Sequence, residues 1–424
     1  MEPKVITNRK PLRIAHFTDT FHPKIDGIVT FLNNSIDYFS KRNNSIVVFC
    51  PTYGKQKEKY FGKNVKIFRL RSIHLHTYKE VKIAIARPKK ILKKLKDFNP
   101  DIIHIHSPGI VGFLGILAAR KLHIPLIGTY HTLVSEQADY ISLGNILGLN
   151  KLVAKLHALF KKEKFRKKPK DDSRLKRFLW YISLKMYKKC DIIIAPSASI
   201  ADLLKSKLRH NAICHVCYGI DLKKFHPKKH YNNAKMLSFA YVGRLSFEKN
   251  IDIIIKAFQI VDKRGIDFSL KIVGDGPARK YLEGMVKRYG LKPKINFTGE
   301  VYGSALREIY QENDIFVIAS AMETLGMVIL EALASGTPVI GVRKYAIPDL
   351  VKDGVNGYLA EPYSAESFSE AIIKVIKNKS RIPHFGRQGI KIAQKCELVK
   401  SMKKLESVYF KAMRLSKGRN MVYY

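Results

Sequence analysis

"METLGMVILEALASG", residues 322–336, poses the question that the rest of the chain answers. From Gly326 to Ala334 nearly every residue is apolar, so the segment reads as a helix buried on most sides. Glu331 sits inside that run, eight positions after Glu323. A lone buried carboxylate is costly unless something satisfies it. The helix follows "DIFVIA" (314–319), a β-branched run with the look of a buried strand.

Working outward, the same scheme recurs along the chain. "LSFAYVG" (237–243), "FSLKIVG" (268–274), "KINFTG" (294–299) and "TPVIGV" (337–342) read as further strands, with helical segments beginning near Asn250, Pro277, Ser304 and Gly326. The first half offers "LRIAHFT" (12–18), "SIVVFC", "VKIFRL", "DIIHIHS", "IPLIGTY" and "DIIIAPS". Continuous apolar strands separated by helices imply a parallel sheet covered on both faces. The expectation is an α/β protein of two doubly wound, Rossmann-like domains facing a central cleft, joined near "CYGIDLKKFHP". Ligands of such sheets bind beyond the carboxyl ends of the strands.

The residues just after the strands of the second half fit that position. Arg244 and Lys249 flank a loop that opens a helix, and two cations beside a helix N-terminus suit a pyrophosphate. With 77 Lys and Arg in the chain, two in one loop can also be incidental. Gly274 permits close backbone approach but is a weak signal alone. Glu323 lies in the loop entering the apolar helix, Gly326 lets backbone approach a ligand, and Glu331 lies about two turns further in. Both carboxylates are suited to accept hydrogen bonds from a diol. The alternative is a structural Glu paired to a backbone N–H or an Arg.

Together, "GRLSFEKN", "VGDGPARKYL", "FTGEV" and "METLGMVILEALASGTPVIG" resemble the donor domain of retaining glycosyltransferases of the GT-B fold, family four. "FHPKIDGIVTFL", "HIHSPGIVGFLGILAA" and "TYHTLVSEQADYI" resemble the acceptor half of the branch that glycosylates diacylglycerol. The resemblance implies an acceptor and membrane-binding domain over 1–217, a nucleotide-sugar domain over 218–395, and a terminal segment, 396–424, that crosses back onto the first. It implies that Arg244 and Lys249 bind the donor diphosphate and that Glu331 binds the ribose. Glu323, with Thr324, Leu325 and the Gly326 backbone, would hold the sugar. Gly27 would sit under the pyrophosphate, and His131 beside the reacting sugar. "ETLG" replaces the commoner Glu-Gly-Phe-Gly of that family.

His131 ends the strand at 124–130, where a polar ring can bond a sugar or an incoming hydroxyl; a surface histidine is the plainer reading. His104 and His106, in "HIHS", are read as facing opposite sides of a strand, unable to share a metal, with His106 approaching the acceptor. No Asp-x-Asp element stands at a strand end. No metal or other cofactor is expected, since Arg244 and Lys249 supply the countercharge for a leaving phosphate.

The formal charge of +42 favours an anionic partner. Residues 151–189 hold 15 Lys or Arg against 3 Asp or Glu, hence +12 of that total. Leu152, Leu156, Leu159 and Phe160 form one helical stripe bordered by cations such as Lys155, and Phe178, Leu179, Trp180 and Tyr181 follow. An apolar stripe with basic borders and interfacial aromatics describes a helix lying in an anionic membrane surface. A second basic helix, "RPKKILKKLKDF" (87–98), can join it. The stripe can instead pack on the core. A nucleic-acid module is not recognisable, so nucleic acid is not an expected partner. Five scattered cysteines argue against a disulfide framework and for a reducing compartment, and Cys214-x-x-Cys217 lacks a second ligand pair. With no visible leader and no uncharged run of ~18–20 residues, the expected location is cytoplasmic, peripheral on the inner face of the cell membrane. The expected reaction is transfer of a hexose, with α linkage, from a UDP-sugar, UDP-glucose first, to a lipid hydroxyl such as that of diacylglycerol. A mannosyltransferase using a GDP-sugar with a lipid or soluble acceptor is the nearest alternative. A non-catalytic basic anion- or nucleic-acid-binding protein is the alternative from another class.

Overall fold

Strands rich in Ile, Val and Phe with no polar face can exist only where helices cover both sides, and that is how the chain is built. The computed structural model describes residues 10–24, 26–54, 60–75, 78–85, 87–133, 174–209, 212–231 and 236–420. The first unit runs β1 (Arg13–Phe17), α1 (Gly27–Ser40), β2 (Ser45–Pro51), β3 (Val65–Leu70), β4 (Ser72–Leu75), β5 (Tyr78–Ala84), α2 (Pro88–Phe98), β6 (Ile102–Ile105), α3 (Ile110–Leu122), β7 (Leu126–Thr129), α4 (Arg174–Tyr187), β8 (Ile192–Ala195), α5 (Ala198–Lys207) and β9 (Ile213–His215). The second runs β10 (Leu237–Val242), α6 (Ile251–Lys263), β11 (Phe268–Val273), α7 (Arg279–Arg288), β12 (Ile295–Gly299), α8 (Gly303–Glu312), β13 (Ile315–Val317), α9 (Met327–Ala334), β14 (Val339–Val342), α10 (Ile347–Leu350), β15 (Gly357–Ala360) and α11 (Ala365–Lys377). Two helices close the chain, α12 (Ile382–Lys395) and α13 (Leu398–Asn420).

Both main sheets are parallel, ordered β3-β2-β1-β6-β7-β8-β9 and β12-β11-β10-β13-β14-β15. Each therefore reverses its winding once, between β1 and β6 and between β10 and β13. Those reversals open the crevices in which ligands of such sheets sit. An antiparallel hairpin, β4–β5, interrupts the first unit. Local sequence sets the helix starts: Asp26 accepts from the Val29 N–H to cap α1, Ser197 caps α5 through Ile200, and Ser364 caps α11 through Ser367.

The chain passes between the units twice, and the two crossings lie side by side. The Ile220 N–H donates to the Cys396 carbonyl at 2.8 Å, and the Leu398 N–H donates to the Ile220 carbonyl at 3.0 Å. Beyond them α13 lies on the first unit, where the Tyr409 ring stacks on Phe39 and its hydroxyl meets His104 Nδ1 at 2.9 Å. Cys217 of one crossing is joined by a disulfide to Cys396 of the other, with Cα atoms 5.7 Å apart. In sequence the five scattered cysteines argue against a disulfide framework and for a reducing compartment, whereas the structure pairs two of them. Cys217 finds its partner 179 residues away because the fold, not the sequence, brings the crossings together.

Cys50, Cys190 and Cys214 are free. Alkylation of protein purified without reductant, then denatured, is expected to label these three cysteines only, and all five after reduction. Modification of Cys217 or Cys396 before reduction would contradict the pairing.

Candidate functional site

The reversal between β10 and β13 gathers the charged groups of the second unit. Arg244 leaves the end of β10, and a single turn, Phe247–Lys249, carries Lys249 to the start of α6. Asn250 adopts a left-handed conformation there (φ 53°) and its amide donates to the Ala319 carbonyl, 3.1 Å away at the end of β13. This bond ties the loop after one strand to the loop after its neighbour. Lys249 Nζ accordingly meets Glu323 Oε1 at 2.7 Å, with only 14% of the Glu323 side chain exposed. Burial pushes the Glu323 carboxyl up, but the charge and hydrogen bond of Lys249 outweigh it and hold the group below its usual range. Burial pulls the Lys249 ammonium down, and Glu323 more than reverses that. Both groups are therefore ionised. The charge of Arg244 acts on Lys249 from close by. Arg244, Lys249 and Glu323 thus share one crevice.

Glu331 is half-buried on α9. The Tyr310 hydroxyl, from α8, donates to its Oε2 at 2.7 Å. Burial raises the carboxyl to about 7, against the opposing pull of Tyr310 and of the Lys224 charge. A carboxyl held near neutrality with one satisfied oxygen has acceptor capacity left for a ligand hydroxyl. Tyr310 was not identifiable in sequence: it lies 21 residues from its partner, in a helix with no motif of its own.

The glycines divide by role. Gly274 (φ 131°) packs on backbone, where an added Cβ would stand 2.0 Å from the Gly243 carbonyl oxygen. Gly326 (φ 85°) opens α9. Gly27 is the first residue of α1, next to the Tyr218 ring. Leu325 is core, 2% exposed. Thr324 reaches across to the first unit and donates its hydroxyl to the His131 carbonyl at 2.7 Å.

The histidines differ from expectation. His104 and His106 do not face apart: their ring centroids are 4.1 Å apart, and His16 joins them from β1. Side chains two positions apart on a strand point to the same face, so the expectation of opposite faces mistook the period and the two rings stand together. Ring nitrogens of His16, His104 and His106 lie within 4.8 Å of one another, so the geometry does not forbid a shared ion. Hydrogen bonds already engage both nitrogens of His104 (Tyr409 and Thr129) and both of His106 (His16 and His131). His131 is buried, with Nδ1 at 2.5 Å from the Tyr218 hydroxyl and Nε2 at 3.1 Å from His106. Burial lowers it to about 3, so it is neutral. Its carbonyl, rather than its ring, meets the second unit. Tyr218 escaped the sequence reading because it lies in the crossing, outside any strand end.

On the far side of the first unit, Trp180 turns inward, stacked against Tyr130. Phe178, Tyr181 and Ile182 of α4 are exposed, as are Ile110, Phe113 and Leu117 of α3. Lys189, just after α4, lies over the Phe113 ring at 5.9 Å, which brings the two helices to one surface. Next to α3, α2 buries Ile91 and Leu95 and exposes Lys89, Lys90, Lys93, Lys94 and Lys96. Lys155, Phe160 and the rest of the stripe at 152–160 lie outside the described residues. Among the described residues no helix is long and apolar enough to cross a membrane.

Comparison with known proteins agrees with this geometry. Residues 25–224 match the family model "Glycosyltransferase Family 4", and residues 223–392 match "Glycosyl transferases group 1". The chain is 30% identical over 379 residues to the alpha-monoglucosyldiacylglycerol synthase of Streptococcus pneumoniae, covering 85% of this chain and 78% of that one. It is 28% identical to a GDP-mannose-dependent alpha-mannosyltransferase of Corynebacterium glutamicum, covering 88% and 82%. Among solved structures, the sucrose-phosphate synthase of Thermosynechococcus elongatus matches with a TM-score of 0.73 at 17% identity, over 96% of this chain and 100% of that one. Anabaena HepE in complex with UDP matches with a TM-score of 0.69 at 15% identity, over 94% and 100%. With two parallel Rossmann-like units, a charged crevice at the reversal of the second, and both family models matched in chain order, the chain belongs to the GT-B glycosyltransferases and is a nucleotide-sugar-dependent hexosyltransferase.

Proposed function

We propose that this enzyme moves a hexose from a nucleotide sugar, UDP-glucose first among them, to a hydroxyl of a membrane lipid such as diacylglycerol, with retention to give an α linkage. The observation that carries the lipid acceptor is the surface of the first unit. Six large apolar side chains of α3 and α4 stand exposed beside the lysines of α2. Such a face suits an anionic leaflet, where each cation contributes ~1 kcal/mol and the apolar groups enter the headgroup boundary. An enzyme resting there meets the lipid hydroxyl without extracting the lipid. The glucosyldiacylglycerol relative supports the same reading, and the mannosyltransferase relative supports a GDP-mannose donor as the second one. The site of action is then the inner face of the cell membrane.

In this reading Arg244 and Lys249 neutralise the diphosphate as it departs. No metal is called for, because fixed cations aimed at the developing charge supply the stabilisation. Glu323 accepts hydrogen bonds from the sugar, and Glu331 from the ribose diol. The acceptor hydroxyl attacks the anomeric carbon from the face that the phosphate leaves. The glycosidic C–O bond forms as the C–O bond to phosphate breaks, and the hydroxyl proton passes to the departing phosphate oxygen. Carbohydrate is thereby transferred without a covalent enzyme intermediate.

Three outcomes check this proposal. Incubated with radiolabelled nucleotide sugars and a total lipid extract, the enzyme should yield a labelled lipid on thin-layer separation. Label confined to a water-soluble product would point to a soluble acceptor and end the lipid reading. The enzyme should also co-sediment with anionic vesicles, less so at high salt; equal, salt-insensitive binding to neutral vesicles would remove the role given to α2. Finally, an ionised Glu331 accepts from a diol better than a protonated one. Donor affinity should therefore rise with pH between about 6 and 8, with its inflection near the value of about 7 set by burial. Glu331→Gln should flatten that profile, and a pH-independent wild-type affinity would contradict the assignment.

A further inference from the structure

Three groups from three parts of the chain close a ring of hydrogen bonds. The Thr324 hydroxyl, at the mouth of α9, donates to the His131 carbonyl at 2.7 Å. The Tyr218 hydroxyl, from the crossing between units, lies in hydrogen-bond reach of Thr324 and 2.5 Å from His131 Nδ1. We propose that Thr324 and Tyr218 are positioning residues: with His131 they form a latch that holds the two units together across the cleft and fixes His131 as its Nδ1–H tautomer.

Counting protons gives the direction of every bond. A hydroxyl has one hydrogen, and that of Thr324 goes to the His131 carbonyl. Any hydrogen bond between the two hydroxyls is then donated by Tyr218 to the Thr324 oxygen, and in that arrangement the Tyr218 oxygen accepts from His131 Nδ1–H. Burial keeps His131 neutral, with one N–H, so its Nε2 is a lone pair and accepts from His106 Nδ1–H, 3.1 Å away. His106 is neutral for the same reason, and its Nε2 accepts from His16 Nδ1–H at 2.9 Å. The chain ends at His16 Nε2, left as a lone pair. That atom is a buried polar atom with no hydrogen-bond partner. The opposite polarity would leave an N–H there, and a buried orphan donor is rarer than an orphan acceptor. The count thus closes on the one unpaired nitrogen.

The latch depends on the hydroxyl of Thr324. In the Glu-Gly-Phe-Gly pattern common in the family, glycine stands where this chain has Thr324, and it offers no hydroxyl. Thr324 also adjoins Glu323, whose carboxylate pairs with Lys249. Closure of the cleft is therefore wired to the loop that would hold the sugar. This kinetic consequence rests on the transferase reading above, whereas the tautomer does not.

Long-range proton–nitrogen correlation spectra of histidine-labelled, ligand-free protein read the tautomer directly, with His131 assigned by its loss in His131→Gln. The wild type should show a protonated Nδ1 and a bare Nε2. In Thr324→Val the Tyr218 hydrogen is released to His131 Nδ1, so the tautomer should switch to Nε2–H, and Thr324→Ser should restore it. A protonated Nε2 in the wild type, or no change in Thr324→Val, would overturn the latch. In turnover assays Thr324→Val should lower kcat about tenfold with donor KM within about twofold. Tyr218→Phe should do the same, and the double variant should be no worse than either. Wild-type kcat in Thr324→Val, or a KM that rises in step with the loss, would also overturn it. If the wild type turns over no nucleotide sugar, the proposed function fails while the spectra still decide the latch.

Discussion

A carboxylate at the mouth of a buried helix stays ionised only where a cation reaches it, and at Glu323 that cation is Lys249. The pair depends on topology. β10 and β13 are neighbours across the point where the second sheet reverses, so the loops that leave them open into one crevice. Asn250 fastens those loops together. With Arg244 beside it, the crevice holds two cations and one carboxylate, matched to a ligand that is anionic at one end and rich in hydroxyls at the other. Glu331 lies two turns deeper on the same helix, its carboxyl raised to about 7 by burial. The question raised by the apolar helix is answered by its setting: its two carboxylates are satisfied, one by Lys249 and one by Tyr310.

The first unit answers a different physical demand. Its interior holds a chain of three neutral histidines, His16, His106 and His131, whose bonds run from β1 to the crossing between units. Its outer face sets exposed apolar residues of α3 and α4 beside a lysine-rich helix. The disulfide and the paired backbone of the two crossings lie next to Tyr218 in sequence, so the connection between the units adjoins the end of that histidine chain.

Much of this was legible in sequence because it rests on local pattern. Runs such as "DIIIAPS" and "FSLKIVG" announce buried strands by composition alone, and the groups that follow strand ends, Arg244, Lys249, Glu323 and Glu331, fall at predictable positions. The hairpin at 72–84 and the short strand Gly357–Ala360 lacked such a signature. Partners brought together by tertiary packing were out of reach. Nothing in sequence marks Tyr310 for Glu331, Tyr218 for His131, or Cys396 for Cys217. The histidine pair "HIH" misled for a simple reason: residues two apart on a strand share a face, and the pair was read as facing apart. Trp180 was read as interfacial from its neighbours, yet it faces the core and leaves Phe178 and Tyr181 outside.

The central claim is that the crevice between β10 and β13 takes the diphosphate of a sugar nucleotide. Titration calorimetry of the ligand-free protein with UDP- and GDP-sugars tests it most directly. The account predicts uptake of one nucleotide sugar at a single site, weakened by about a hundredfold in Arg244→Ala and in Lys249→Ala, with both variants melting as cooperatively as the parent. Heat-silent titrations for every sugar nucleotide, or undiminished affinity in both variants, would contradict it.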